Sequence, residues 1–191
     1  MLFGLCFEYV NSPDRLLDIG IGTGLASVPF AKAGLEIFGI DGSIEMLNVC
    51  KAKNIAKNLK QFDLRNTPLP YSDRFFDHVI SCGVFHFFGD LEPIIKEVSR
   101  IIKPKGIFAF TIEALAPGKE EGVGGHSREG YEERQSVEGV TVFMHGNGYI
   151  EGLLQGHGFD KLKEVKFLVR SAPESDNDIL YEACAAQRSD N

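Results

Sequence analysis

The chain is short of basic charge, of paired cysteines and of long apolar runs, and each shortage closes off a class of function. Lys and Arg together number 20 against 27 Asp and Glu, a net charge of −7. Such a surface repels phosphate backbones and anionic headgroups, and no block of Lys and Arg overrides it. Neither nucleic acid nor a membrane surface is therefore the expected partner. The four cysteines, Cys6, Cys50, Cys82 and Cys184, stand far apart without a C-x-x-C pair. That spacing argues against a zinc site and against a disulfide framework, so no metal is expected, and reduced thiols point to the cytoplasm. The apolar stretch from Leu2 to Val10 lacks a basic start and a small-residue cleavage site, which argues against a signal peptide. No apolar run approaches the ~20 residues of a membrane span. What is present is 191 residues, 43% hydrophobic and 25% charged. That suffices for one full-sized core and not for two, so residues 1–191 are expected to form a single domain.

Apolar runs alternate with helical patterns through the first two-thirds of the chain. Arg15 to Ile19 reads as a buried strand, followed by a Gly-rich turn, a helix from about Gly24 to Ala33, and Gly34 as its stop. Leu35 to Ile40 is a second strand. Ser43 then caps a helix carrying Ile44, Met46, Leu47 and Val49. Lys60 to Leu64 and Asp77 to Ser81 read as strands three and four. A helix over Leu91 to Ile102 ends at Pro104 and Gly106, and Ile107 to Ile112 makes strand five. Strands alternating with helices imply a parallel sheet covered on both faces. Beyond Glu113 the rhythm breaks. Ala116 to Gly130 is rich in Gly and charge and reads as a loop or lid. Glu132 to Gln135 and Thr141 to His145 flank a turn near Glu138-Gly139, as in a hairpin. Asn147 is a cap for a helix through Leu154 that stops at Gly158. Leu162 to Val169 and Asp178 to Ala186 are the last two strands.

The stretch Leu16-Leu17-Asp18-Ile19-Gly20-Ile21-Gly22-Thr23-Gly24 runs a strand straight into a Gly-rich turn. Glycines adopt backbone angles other residues resist and let a ligand approach the main chain. Asp41 closes the second strand, where an acidic residue accepts hydrogen bonds from ribose hydroxyls in dinucleotide-type folds. Together they point to an adenosine-containing cofactor. The dinucleotide fingerprint G-x-G-x-x-G needs a small residue where this chain has Leu25, which weakens a nicotinamide-dependent oxidoreductase. The G-x-G-x-G actually present, with Asp18 two residues ahead, resembles motif I of the class I S-adenosylmethionine-dependent methyltransferases.

Four further stretches carry the same resemblance in order. Asp41-Gly42-Ser43-Ile44-Glu45-Met46-Leu47 is similar to the family's D-x-S-x-x-M-L. Phe62-Asp63-Leu64 fits the acidic residue after its third strand. Leu69-Pro70-Tyr71 followed by Phe76-Asp77-His78-Val79-Ile80-Ser81 matches its entry into strand four. Glu97 to Gly106 resembles its E-x-x-R-x-L-K-P-G-G, with Lys105 in place of a Gly. The resemblance spans residues 16 to 113. It implies an α/β, Rossmann-like doubly wound fold: a mostly parallel seven-stranded sheet, helices on both faces, and an antiparallel C-terminal strand pair. It implies S-adenosylmethionine as cofactor, S-adenosylhomocysteine as product, and a small-molecule acceptor.

By the same resemblance Gly20, Gly22 and Gly24 line the methionine and ribose parts, with Asp18 near the amino group. Asp41 and the adjacent Gly42 hold the ribose, Met46 packs on the adenine, and Asp63 with Leu64 reads its edge. Ser81 and Cys82 contact the methionine end. His86, just after strand four, stands as a candidate general base. Glu113, Tyr131 and His145 stand as candidates for the acceptor side, and residues 114–148 as a substrate lid and hairpin. Each has a structural alternative: Met46 as core, Asp63 as a solvated loop carboxylate, Cys82 as a small buried hydrophobe, His86 as a histidine satisfied among aromatics. A non-catalytic S-adenosylmethionine-binding sensor or partner subunit is the competing function. The absence of N-P-P-Y or D-P-P-Y after strand four weakens a DNA amino-methylating enzyme. Only 15 residues precede the motif, so Phe7 and Tyr9 form a reduced cap, or the pocket is open, or a partner closes it. A homodimer stays open.

Overall fold

The computed structural model describes residues 1–115, 130–136, 139–170 and 178–190. In chain order the elements are α1 (Leu2–Cys6), β1 (Arg15–Ile19), α2 (Val28–Lys32), β2 (Glu36–Asp41), α3 (Ile44–Ala52), β3 (Asn58–Gln61) and β4 (Phe76–Ser81). After β4 come a 3₁₀ turn at Phe85–Phe87, α4 (Glu92–Ile101), β5 (Ile102–Ala114), β6 (Tyr131–Gln135), β7 (Thr141–His145), α5 (Asn147–Gly156), β8 (Phe159–Arg170) and β9 (Asp178–Arg188). No helix among the described residues is long and apolar enough to cross a membrane.

The strands alternate their side chains between two cores, as the two-residue period of a strand requires. Leu17, Ile19, Ile40 and Val79 pack with Phe108 and Phe110 against α4 and α5. Their neighbours Leu16, Ile37, Ile80 and Ile107 face α1, α2 and α3 on the other side. Strands buried on both faces read as unbroken apolar runs, which is why β1 and β4 were legible without alternation.

The sheet runs β3-β2-β1-β4-β5 in parallel. β9 then lies antiparallel to β5 from Ile107 to Glu113, and β8 antiparallel to β9. These are the seven strands expected, with the expected antiparallel pair at the C-terminal end. The β6–β7 hairpin brings the total to nine among the described residues. It joins β5 in a particular place. β4 stops at Ser81, opposite Phe110, and β7 pairs with Glu113 and Ala114. Because β9 already occupies the other edge of Glu113, β7 takes the edge that β4 has vacated.

Several element boundaries differ from the sequence reading. The helix after the glycine turn, α2, is only Val28–Lys32 rather than Gly24 to Ala33. Its N-cap Ser27 makes no capping bond: its backbone is already helical, and its hydroxyl donates to Asp18. β3 begins at Asn58, two residues before the expected Lys60, and ends at Gln61. Ile102 leaves the helix and opens β5. Gly146, not Asn147, is the N-cap of α5. Of the expected loop Ala116 to Gly130, all but Gly130 lies outside the described residues.

The E-x-x-R stretch has a structural account. Glu97 accepts from the Leu69 N–H at 2.7 Å and from the Arg100 guanidinium at 2.6 and 3.0 Å. Arg100 also donates to the carbonyls of Leu69 and Tyr71. The pair therefore pins the segment that leads into β4. The K-P-K-G stretch has one too. A Cβ on Gly106 would stand 2.3 Å from the Asp77 carbonyl oxygen, so only glycine fits. Lys105 sits at φ 64°, in the left-handed region that costs an L-residue roughly 1–2 kcal/mol. Lys105→Gly should relieve that strain at some cost in unfolded-chain entropy, a net gain of about 0.5–1 kcal/mol. Urea unfolding of the two proteins side by side measures it. An unchanged or lowered midpoint would show that the lysine conformation is not strained.

Candidate active site

The C-terminal ends of β1, β2 and β4 open into a cavity of about 800 Å³, bounded on one side by the start of α1. Open α/β sheets bind ligands at this end of their strands. Gly20, Gly22 and Gly24 all have positive φ, 71°, 53° and 80°. Each does a different thing. A Cβ on Gly20 would meet Val84 at 2.3 Å, and one on Gly24 would meet the Cys50 sulfur at 2.6 Å. A Cβ on Gly22 would meet no atom within 4 Å. Gly20 and Gly24 thus let the turn pack, and Gly22 leaves the cavity wall bare backbone.

Two carboxylates hold the turn. Asp41 accepts from the Gly22 N–H at 2.7 Å with one oxygen and from the Ser43 N–H at 2.8 Å with the other. Ser43 in turn accepts from the Met46 N–H and caps α3, which sets Met46 at the cavity edge. Asp18 is buried and accepts from the Ser27 hydroxyl at 2.7 Å. Burial pushes its carboxyl up to about 7, against the lowering effect of Ser27 and with a further push from the charge of Asp41. Asp63 is gripped by Arg65 through its side chain and backbone N–H, at 2.7–3.1 Å, and is held well below the usual carboxylate range, to about 2.

Of the eleven residues assigned to the cofactor on sequence grounds, all line this cavity except Gly24 and Ser81. Gly24 faces α3, as above. Ser81 is fully buried and donates its hydroxyl to the Ile19 carbonyl at 2.9 Å, tying β4 to β1. The four residues suggested for chemistry and acceptor binding are also absent from the lining. His86 has a buried Nδ1 without a hydrogen-bond partner among the described residues, and its ring packs on Phe87 and, edge-on, Tyr181. Burial lowers its pKa, which Glu113 partly opposes. Glu113 is 2% exposed and makes a two-pronged ion pair with Arg134, at 2.5 and 2.8 Å. His145 is fully buried, its Nε2 3.0 and 3.1 Å from the Phe88 and Gly89 carbonyls, and burial drives it down to about 4. It is therefore neutral, with Nε2 protonated to donate. Tyr131 packs on Phe143, His145 and Tyr149.

Sequence reasoning missed the rest of the lining. Met1, Leu2 and Phe3 of α1 contribute, whereas Phe7 points outward and Tyr9 sits under the Lys163 ammonium. Leu25, Val84, Phe87 and Phe88 add apolar wall, and Ile21, Thr23, Ala26, Pro29, Ser43 and Gly83 make up the remainder. The visible signal was the aromatic run Val84 to Phe88 at the end of β4, where ligand-facing residues are expected.

Residues 17–110, 94 of the 191, match a family model described as "Methyltransferase domain". Demethylmenaquinone methyltransferase of Renibacterium salmoninarum is 37% identical over 93 residues, covering 48% of this chain and 38% of that protein. The uncharacterized methyltransferase YcgJ of Bacillus subtilis is 30% identical over 106 residues, 54% of this chain and 42% of that protein. The matched part thus spans about two-fifths of these curated relatives. The crystal structure of an S-adenosylmethionine-dependent methyltransferase from Methanosarcina mazei superposes with a TM-score of 0.76 at 19% identity, over 98% of both chains. That likeness speaks to the fold.

Asp18 generates a prediction from its burial. Its folded pKa, about 7, exceeds the ordinary 3.8, so the folded state favours the neutral acid. Its contribution to stability is full below the ordinary value and is lost as pH rises through about 7. Asp18→Asn, which keeps an acceptor for Ser27, should flatten the fall in melting temperature between pH 5 and 8 in the ligand-free protein. An identical pH profile for both proteins would mean the carboxylate is ionised at no cost.

Proposed function

We propose, for a chain that belongs over residues 17–110 to the methyltransferase-domain family and has its class I, Rossmann-like fold, that it transfers a methyl group from S-adenosylmethionine to a small-molecule acceptor. The observation that carries this reading is the acidic lining of the cavity. Its described lining holds three carboxyl groups, Asp41, the buried Asp18 and the Arg65-paired Asp63, and no Lys, Arg or His side chain. A sulfonium with an ammonium group suits such walls. A pyrophosphate does not, and the helix that would cradle one starts only at Val28, beyond a turn carrying Leu25.

In this reading Asp41 keeps a free lone pair on each oxygen for ribose hydroxyls, Asp18 attracts the amino group, and the bare backbone at Gly22 admits the ligand. Met46 would pack on the adenine, with Asp63 and Leu64 at its edge. Bound there, S-adenosylmethionine would supply a methyl on a sulfonium, which leaves as the neutral thioether when the acceptor's lone pair takes the methyl carbon and the acceptor gives up a proton to water. The work left to the protein is positioning, worth up to ~7–11 kcal/mol. Val84, Phe87 and Phe88 supply apolar surface on another side of the cavity. The scattered free thiols support a reducing compartment, the cytoplasm.

S-adenosylmethionine and S-adenosylhomocysteine should raise the melting temperature, and NAD and NADP should not. A ligand at 100 times its Kd contributes about 2.7 kcal/mol. A shift with NAD and none with either sulfur compound would overturn the reading. Asp41→Ala should weaken S-adenosylhomocysteine by about ten- to a hundred-fold in calorimetry, since bonds to a charged acceptor are worth roughly 1.5–3 kcal/mol. Unchanged affinity would place the ribose elsewhere.

A further inference from the structure

The cavity is two-sided. Its carboxylates come from the ends of β1 and β2 and from the segment after β3, and they cluster with the glycine turn. Across from them the wall includes Met1, Phe3, Leu25, Val84, Phe87 and Phe88, from the start of α1, the far side of the turn and the 3₁₀ segment. Much of this apolar surface is left in water: Leu25 is 76% exposed, Met1 57% and Phe87 50%. Single exposed apolar residues are ordinary, but several around one mouth mark a binding surface. The volume, about 800 Å³, lies toward the upper end of what one drug-sized ligand fills, which leaves room beside a cofactor.

We infer that this apolar wall is the acceptor's binding surface and that the acceptor is an uncharged, largely apolar small molecule. The inference rests on the reading of the opposite side as the cofactor site. An acceptor bearing a carboxylate or phosphate would shed its water in the cavity and meet no cationic side chain among the described lining. It would also approach Asp41, whose charge opposes it. Of the cations near the site, Arg65 is paired with Asp63, Lys53 donates to the Thr23 carbonyl and Arg134 is committed to Glu113. An uncharged ring or chain loses nothing by entering and covers Phe87, Leu25 and Met1 as it does so.

Two probes of matched shape test this: 2-naphthol, uncharged at neutral pH, and 2-naphthoate, an anion. Both are titrated calorimetrically into the full chain, with and without saturating S-adenosylhomocysteine. The naphthol should bind in both states and the naphthoate about ten-fold more weakly or worse. Leu25→Lys, at an exposed position that leaves folding intact, should cut that preference by about ten-fold. Equal binding of the two probes, binding of neither, or displacement of S-adenosylhomocysteine by the naphthol would overturn the inference. Failure of S-adenosylhomocysteine itself to bind would instead strike the cofactor reading, and the naphthol preference of the ligand-free chain would still decide this one.

Discussion

Everything at the mouth of the sheet depends on the carboxylate of Asp41. One oxygen takes the Gly22 N–H and the other the Ser43 N–H, so a single side chain joins the turn after β1 to the turn after β2. Hydrogen bonds from backbone N–H to a charged acceptor are among the stronger ones available to a protein. They hold the glycine turn open rather than collapsed onto the strand ends. Ser43 passes the constraint on by capping α3, and with α3 in place Met46 and Cys50 take their positions. Cys50 then meets Gly24 and closes the loop of contacts back on the turn.

Asp18 supplies a second tie at the same level. Ser27, helical in backbone just ahead of the five-residue α2, donates its hydroxyl to this carboxylate and ties the chain beneath the cavity. A helix cap is worth about 1 kcal/mol, and α2 has none from Ser27, whose side chain orients a buried carboxylate. Local regularity yields here to the site. Such conflicts between local and global preference are expected at functional positions.

That conflict explains what could be read from sequence and what could not. β1, β2, β4 and α4 were legible because burial on two faces, or one apolar stripe on a helix, leaves a pattern in the residues themselves. The cavity lining from the glycine turn, Asp41, Met46 and Asp63 was legible because each lies at a strand end in a short, ordered motif. The length of α2 was not, since Ser27 looks like an N-cap whichever way its hydroxyl points. The contribution of α1 was not, because Phe3, Phe7 and Tyr9 are equivalent until packing chooses among them. Likewise Ser81 and Gly24 fall where cofactor contacts belong, yet their atoms go to Ile19 and Cys50.

The β6–β7 hairpin meets β5 on an edge that exists only because β4 ends early. Its deeper hold is His145, whose ring grips the Phe88 and Gly89 carbonyls directly behind the apolar wall. The Phe88 end of the wall is thus held by a module that, among the described residues, touches neither Asp18 nor Asp41. A lineage could lengthen, shorten or recolour that hairpin and so retune what the wall accepts, while the donor side is inherited unchanged.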